Sequence, residues 1–189
     1  MIADILKGRV TQRGYALLLR NLLPVYQALE QYLSRHAASP LVGAIARREL
    51  ARASAIEADL NVLSSEAYAA IVLPAATSYV KAIERASAGD GARLIAHAYT
   101  RYLGDLSGGQ ILKRLLVRSL SLPTSALSFY EFPTIVDVAS FKSEYRDAID
   151  RAGDESNDFD GIVEEGALAF ELNIKLSAAL QAEVARRAL

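Results

Sequence analysis

Leucine, tyrosine and alanine recur at steps of three and four along most of the chain, the spacing that gathers apolar side chains on one side of an α-helix. The clearest run is Tyr15, Leu18, Leu19, Leu22, Tyr26, Leu29 and Leu33, which predicts one long helix capped by Thr11. Pro24 falls inside that run and predicts a kink. Ahead of it, Ile2, Ile5 and Leu6 fit the tail of a helix that Lys7-Gly8 stops. Ser39-Pro40 supplies a cap and a first helical position for a helix reaching about Leu50, and residues 53–63 continue the helical pattern. Residues 64–74 read as a loop with short turns and 75–87 as helix, before Ala88-Gly89-Asp90-Gly91 breaks the pattern. Helix is expected again after Gly109 to about Leu120, with an irregular connection over 123–133. A further helix starts at Asp137 or Ser140 and ends near Arg151, and the polar run 153–158 is a loop. The last helix covers about 159–187, with Ile162, Val163, Phe170, Leu172, Asn173, Leu176, Leu180 and Val184 broadly on one side. The pattern predicts an all-α fold, a multi-helix bundle in a single domain over residues 1–189, with no internal repeat.

One stretch departs from this regularity. Tyr99-Thr100-Arg101-Tyr102-Leu103-Gly104-Asp105-Leu106-Ser107-Gly108-Gly109-Gln110 has helical sequence on both sides, yet holds three glycines and an aspartate in its middle. Each Gly costs about 1 kcal/mol against Ala in a helix interior. Gly104 and Gly108 are four apart, so on a helix they strip one face of side chains, and Asp105 stands beside that face. Two readings fit: a broad flat ligand lies on the bare backbone, or another helix packs closely there.

Composition narrows the chemistry. The chain has 189 residues, 52% of them apolar, a formal net charge of -1, no cysteine and two histidines. Ala and Leu dominate over β-formers, in keeping with helices. The near-neutral charge and the lack of a basic run with interleaved aromatics argue against nucleic acid as a partner. Zero Cys removes thiolate chemistry and disulfides, and two His exclude a histidine-rich metal cage. No apolar run reaches the roughly 18 to 20 residues of a membrane span, so the expectation is a soluble cytoplasmic protein without a membrane anchor.

Several side chains are candidates for chemistry. Asp105, next to the bare face, is suited to holding water or a proton chain over a ligand, or it is a solvated or capping carboxylate. Lys142 and Arg146 are like charges at i,i+4, which either share an anionic ligand or decorate the surface; Arg101 and the Tyr99 phenol add donors. Tyr26 lies on an apolar stripe, so its hydroxyl needs a partner, and Asn173 poses the same question on the last helix. Phe170 reads as core. His97 precedes Asp105 by eight residues, about 80° away on an ideal helix, and so is not expected on its face. His36 follows a helix end, where a helix-terminal role is the simplest account, and neither histidine reads as a metal ligand.

The stretch from His97 to Gln110 closely resembles the distal-helix signature of the biliverdin-producing heme oxygenases. The similarity extends through Lys7-Gly8-Arg9-Val10-Thr11, Val25-Tyr26-Gln27-Ala28-Leu29-Glu30, Ala55-Ile56-Glu57-Ala58-Asp59-Leu60, Phe141-Lys142-Ser143-Glu144-Tyr145-Arg146 and Ala169-Phe170-Glu171-Leu172-Asn173-Ile174, and covers residues 1 to about 180. The resemblance implies an all-helical fold that clamps heme between a proximal and a distal helix. Gly104 and Gly108 would touch the macrocycle, and Asp105 would hold a distal water network that delivers protons to dioxygen, with Tyr26 in the same network. Lys142, Arg146 and Tyr99 would meet the heme propionates, and Phe170 and Asn173 would line the pocket. It further implies O2 as cosubstrate, electrons from a reductase or ferredoxin, and biliverdin, carbon monoxide and ferrous iron as products; a soluble bacterial type fits. In the family a proximal histidine precedes the position where Met1 falls, so the resemblance leaves the axial iron ligand unassigned here: either the sequence starts at a downstream methionine, with Ile2 to Leu6 the end of an interrupted helix, or it is a natural short form. Two alternatives remain: a heme-binding protein of the same fold with reduced or no oxygenase activity, and a helical relative acting on something other than heme.

Overall fold

The computed structural model describes residues 2–63 and 71–187, and every regular element among the described residues is helical. Its elements in order are α1 (Ile2–Leu6), α2 (Gln12–Arg35), α3 (Pro40–Gly43), α4 (Ala53–Leu63), α5 (Pro74–Ala86), α6 (Leu94–Ala98), a π-helical turn (Tyr99–Leu103), α7 (Gly104–Leu120), α8 (Val138–Asp154) and α9 (Phe159–Arg187), with short 3-10 turns between some of them. Most of the expected loop at 64–74 lies outside the described residues; Pro74 itself opens α5 as its first helical position.

The caps explain where helices begin. Thr11 Oγ1 accepts the Gly14 amide at 3.0 Å and starts α2. Asp137, not Ser140, starts α8, its carboxylate accepting the amides of Ala139 at 2.9 Å and Ser140 at 3.1 Å. At the N-terminus of α4, Glu30 reaches across from α2 and accepts the Arg52 amide at 2.6 Å and the Ala53 amide at 2.9 Å, satisfying donors that the helix leaves free. Gly8, at φ +63°, ends the first short helical segment.

Helix α2 is the axis of the fold. Its apolar stripe is buried as the spacing predicts, and it packs mainly on α4 and α5, with further contacts to α6 and α9. It runs through Pro24 as one element. The helix expected from Pro40 to Leu50 stops at Gly43 and gives way to a 3-10 turn at Arg48–Leu50. At that end the chain lies close to the preceding turn: a Cβ on Gly43 would come to 2.7 Å from the Ala37 carbonyl oxygen, an approach that only glycine allows.

The connection at 123–133 is packed rather than loose. Fully buried Asp59 on α4 accepts the amides of Ser128 at 2.7 Å and Phe129 at 2.9 Å, and the buried Arg52 guanidinium bonds the Phe129 and Glu131 carbonyls beneath the ring of Phe132. This segment in turn fixes α7. Gln110 donates to the Tyr130 carbonyl at 2.8 Å, and Lys113 pairs with Glu131. In α9 the buried side is Glu165, Ala169, Leu172, Leu176 and Leu180, whereas Val163 and Phe170 are exposed, so the expected single stripe is divided between core and surface. Among the described residues, no helix is long and apolar enough to cross a membrane.

Candidate functional site

Helix α7 begins at Gly104, not after Gly109, so all three glycines are helical. They serve different ends. A Cβ on Gly109 would meet the Tyr130 ring at 3.3 Å, so this glycine lets the 123–133 segment approach the helix. Gly104 and Gly108 would meet nothing within 4 Å: their face looks into open space. Close packing therefore explains the third glycine, and the first two remain as a bare wall.

That wall borders a cleft of about 450 Å³, within the usual range for a small-molecule or cofactor site. Ile5 and Leu6 of α1 and Leu18 and Leu22 of α2 contribute apolar surface, and α9 contributes Phe170, Asn173 and Leu176. Arg101 and Asp105 are the charged groups in the lining. A face without side chains, apolar walls and few polar groups together suit a flat, largely apolar ligand such as a tetrapyrrole.

The polar groups form one connected network. Ahead of α7 the chain takes a π turn, where Thr100 Oγ1 bonds back to the Ala96 carbonyl at 2.9 Å; such wide turns recur at functional sites. Arg101, within that turn, donates to the Tyr26 hydroxyl through Nη2 at 2.7 Å and Nε at 3.1 Å, and to Asn173 Oδ1 through Nη1 at 2.6 Å. Its Nη2 lies 3.6 Å from Asp105 Oδ1. With the guanidinium occupying its lone pairs, the Tyr26 hydroxyl donates its own proton to Asp105 Oδ2. Three helices, α2, α7 and α9, are thus joined at the lip of the glycine wall.

Burial dominates the electrostatics. It raises the Asp105 carboxyl above its ordinary range, against the opposing pull of the Arg101 guanidinium and the Tyr26 hydrogen bond. It raises the Tyr26 phenol well above its ordinary value, so Tyr26 is neutral and a donor. Burial also works against the charge on Arg101, but Tyr26 and Asp105 more than offset it, and its pKa is raised. The result is a fixed cation holding a carboxyl that takes up a proton more readily than a free aspartate.

The predicted site residues separate into two groups. Arg101, Gly104, Asp105, Gly108, Phe170 and Asn173 all line the cleft, and Tyr26 touches it through Asp105 and Arg101. Phe170, which the apolar pattern alone places in the core and the resemblance places in the pocket, is 53% exposed and lines the cleft. Tyr99 borders an adjoining smaller groove, where Phe170 is also found, while Lys142 and Arg146 on α8 lie outside both linings.

Both histidines are engaged elsewhere. His97 is fully buried, its Nε2 2.8 Å from Glu165 Oε1 and its ring against Tyr79. His36 Nε2 lies 2.9 Å from the Ser87 carbonyl, and its ring fills the space a Cβ on Gly91 would need. Spacing alone does not single out Glu165, Arg52 or Asp59, because each is a charged residue, two of them within helices and Arg52 just ahead of α4, for which solvent exposure is the ordinary outcome. Among the described residues, no group of acidic and histidine side chains is placed to hold a metal ion.

Comparison with known proteins gives one answer. The heme oxygenase family profile matches residues 1–179. A heme oxygenase of Guillardia theta is 37% identical over 178 residues, covering 93% of this chain and 75% of that protein. Heme oxygenase 1 of Nostoc sp. is 38% identical over 174 residues, covering 90% of this chain and 73% of that protein. The crystal structure of heme oxygenase-1 from the cyanobacterium Synechocystis sp. PCC6803 in complex with heme superposes with a TM-score of 0.90 at 33% identity, covering 99% of this chain and 86% of that one. With its glycine wall, its buried Tyr26–Asp105–Arg101 network and this similarity along nearly its whole length, the chain belongs to the heme oxygenase family.

Proposed function

We propose that this protein opens heme oxidatively to biliverdin, carbon monoxide and ferrous iron, using O2 and electrons from a reductase or ferredoxin. The observation that carries the proposal is the pairing, in one apolar cleft, of a helix face left bare at Gly104 and Gly108 with a buried carboxyl held by Tyr26 and Arg101. Heme is the substrate, and its iron supplies the site for O2 and electrons when bound. Gly104 and Gly108 admit the flat macrocycle against the backbone. Phe170 and Leu176 close the apolar sides, and Asn173 orients Arg101. Asp105 holds and transfers protons through water over that face, for which its raised proton affinity suits it, and Tyr26 fixes the orientation of its carboxyl through Oδ2.

Lys142, Arg146 and Tyr99 bind the propionates in this reading. The support is geometric: Lys142, Arg146 and Ile149 follow at i, i+4 and i+7 on one side of α8, and Ile149 shares the adjoining groove with Tyr99 and Phe170.

A second reading, a heme-binding protein without oxygenase activity, draws on the placement of His36 and His97 away from the cleft. One experiment separates the two. Purified protein is given one equivalent of hemin, O2 and a reductant, with and without imidazole as an exogenous iron ligand, and the tetrapyrrole is extracted and identified. The oxygenase reading predicts biliverdin, and one carbon monoxide per heme, in at least one arm. Stable bound heme with no biliverdin in either arm would establish the second reading instead.

A further inference from the structure

Two buried polar atoms outside the cleft lining have no hydrogen-bond partner: Nδ1 of His97 and the hydroxyl of Tyr79. Their rings are neighbours, with centroids 5.7 Å apart. His97 is fully buried, and its other nitrogen, Nε2, lies 2.8 Å from Glu165 Oε1 on α9. On an ideal helix His97 falls about 80° from Asp105, but the π turn at Tyr99–Leu103 takes up one more residue than an α turn, which returns about 100°. His97 and Asp105 therefore stand within about 20° of each other along one helical rod, with Arg101 between them. The wide turn brings onto the side of the polar network a residue that ideal spacing turns away from it.

That rod is joined to α9 twice, by His97 with Glu165 and by Arg101 with Asn173 Oδ1 at 2.6 Å. Tyr79 of α5 stands between the two pairs, its ring against His97 and its phenol facing Arg101 and Asn173. Burial pushes that phenol up to about 12, while the guanidinium and the Asn173 amide pull the other way. With Asn173 Oδ1 taken by Arg101, it is the amide nitrogen that is left for the phenol oxygen. The phenol is thus a neutral O–H without an acceptor. Beside it, with Nε2 donating to Glu165, Nδ1 of His97 is an acceptor without a donor. Each supplies what the other lacks, and leaving both unmade in a buried place is costly. We propose that the Tyr79 hydroxyl donates to His97 Nδ1, directly or through one buried water, and that His97 and Glu165 are positioning residues for Arg101. The donors then all point one way, Arg101 to Asn173 to Tyr79 to His97 to Glu165, and such a chain holds the guanidinium beside Asp105. Its bearing on catalysis rests on the heme-opening reading above; the chain itself belongs to the apoprotein.

The test uses the apoprotein, in wild type, Tyr79→Phe, Glu165→Leu and Glu165→Gln. Nitrogen NMR reads the His97 ring, and carbon NMR reads the titration of the Asp105 carboxyl. The expected wild-type spectrum has His97 protonated at Nε2, with a slowly exchanging proton, and Nδ1 shifted as a hydrogen-bonded acceptor. Tyr79→Phe removes one oxygen, leaves His97 on Glu165, and moves the Nδ1 signal to that of a free acceptor. With Asn173 no longer held, Arg101 lowers the Asp105 carboxyl less, so the proton affinity of Asp105 rises by about threefold or more. Tyr26 and Arg52, the other groups that act on Asp105, are untouched. Glu165→Leu gives the same rise, whereas Glu165→Gln keeps an acceptor for Nε2 and stays close to wild type. An Nδ1 signal unmoved by Tyr79→Phe, or an Asp105 titration unmoved in both Tyr79→Phe and Glu165→Leu, overturns the chain, whatever either variant loses in stability. If Glu165→Leu does not fold, Tyr79→Phe alone decides. A wild-type protein that forms no biliverdin from hemin sinks the heme-opening reading and leaves the NMR result to decide the chain by itself.

Discussion

Asp105→Ala binds hemin within a few-fold of wild type and forms biliverdin at least about 100-fold more slowly in a single turnover. The expectation follows from position. Asp105 sits beside the glycine face, not in its plane, and is half-shielded by Arg101 and Tyr26, so little of the flat contact depends on its side chain. What the variant loses is the buried carboxyl whose proton affinity is raised by its surroundings. Asp105→Asn preserves the shape and still meets the Tyr26 hydroxyl, but it takes up no proton, and is expected to be nearly as slow. Rapid biliverdin formation by either variant would transfer the proton-handling role elsewhere.

Arg101→Met destabilises the fold by about 2 to 4 kcal/mol at neutral pH, read from urea midpoints. The guanidinium donates to Tyr26 and Asn173 and stands 3.6 Å from Asp105, and methionine leaves all three without it. The pH dependence has a definite sign. The folded-state pKa of Asp105 is raised above its ordinary value of 3.8, so ionising it costs the folded state more than the unfolded one, and that cost grows as pH rises through the interval between the two values. Without Arg101 the folded value moves higher still. The difference between variant and wild type is therefore smallest below about pH 4 and largest near neutrality. Arg101→Lys restores the charge but not the planar fork, so it recovers the pH profile more fully than the stability. A penalty independent of pH would mean that the guanidinium acts through packing alone.

Much of this was legible in the chain. Thr11 and Asp137 announced their helices because capping is a local property of a side chain and the next three amides. The all-helical class and the burial of the α2 stripe followed from periodicity. Gly104 and Gly108 could be recognised as a bare face, but spacing could not separate a ligand wall from close packing. The structure divides the two roles by direction, since Gly109 is turned about 100° from Gly108 and meets Tyr130 instead.

The less legible features depend on long-range contact. Tyr26 and Asp105 are 79 residues apart, and only the family resemblance joined them in advance. The π turn at Tyr99–Leu103 leaves almost no trace in an apolar pattern, because one widened turn shifts the phase by less than the width of an apolar stripe. Hydropathy alone puts Phe170 in the core, and only the family resemblance puts it in the pocket, because α9 serves the core along one side and the cleft along another and hydropathy does not distinguish a wall that faces protein from one that faces a ligand. The close approach of the Ala37 carbonyl to Gly43 is equally invisible in hydropathy, because it is a matter of chain path.

The central claim is that α7 is bare at Gly104 and Gly108 for a flat ligand and not for the helix itself. It is tested most directly by measuring, on the double variant Gly104→Ala/Gly108→Ala, both the urea stability of the apoprotein and its affinity for hemin. Neither new methyl group has a neighbour within 4 Å, and alanine is the better helix former, so the account predicts an apoprotein more stable by about 1 to 2 kcal/mol whose hemin affinity falls by tenfold or more. A stabilised double variant that binds hemin as tightly as wild type would contradict it.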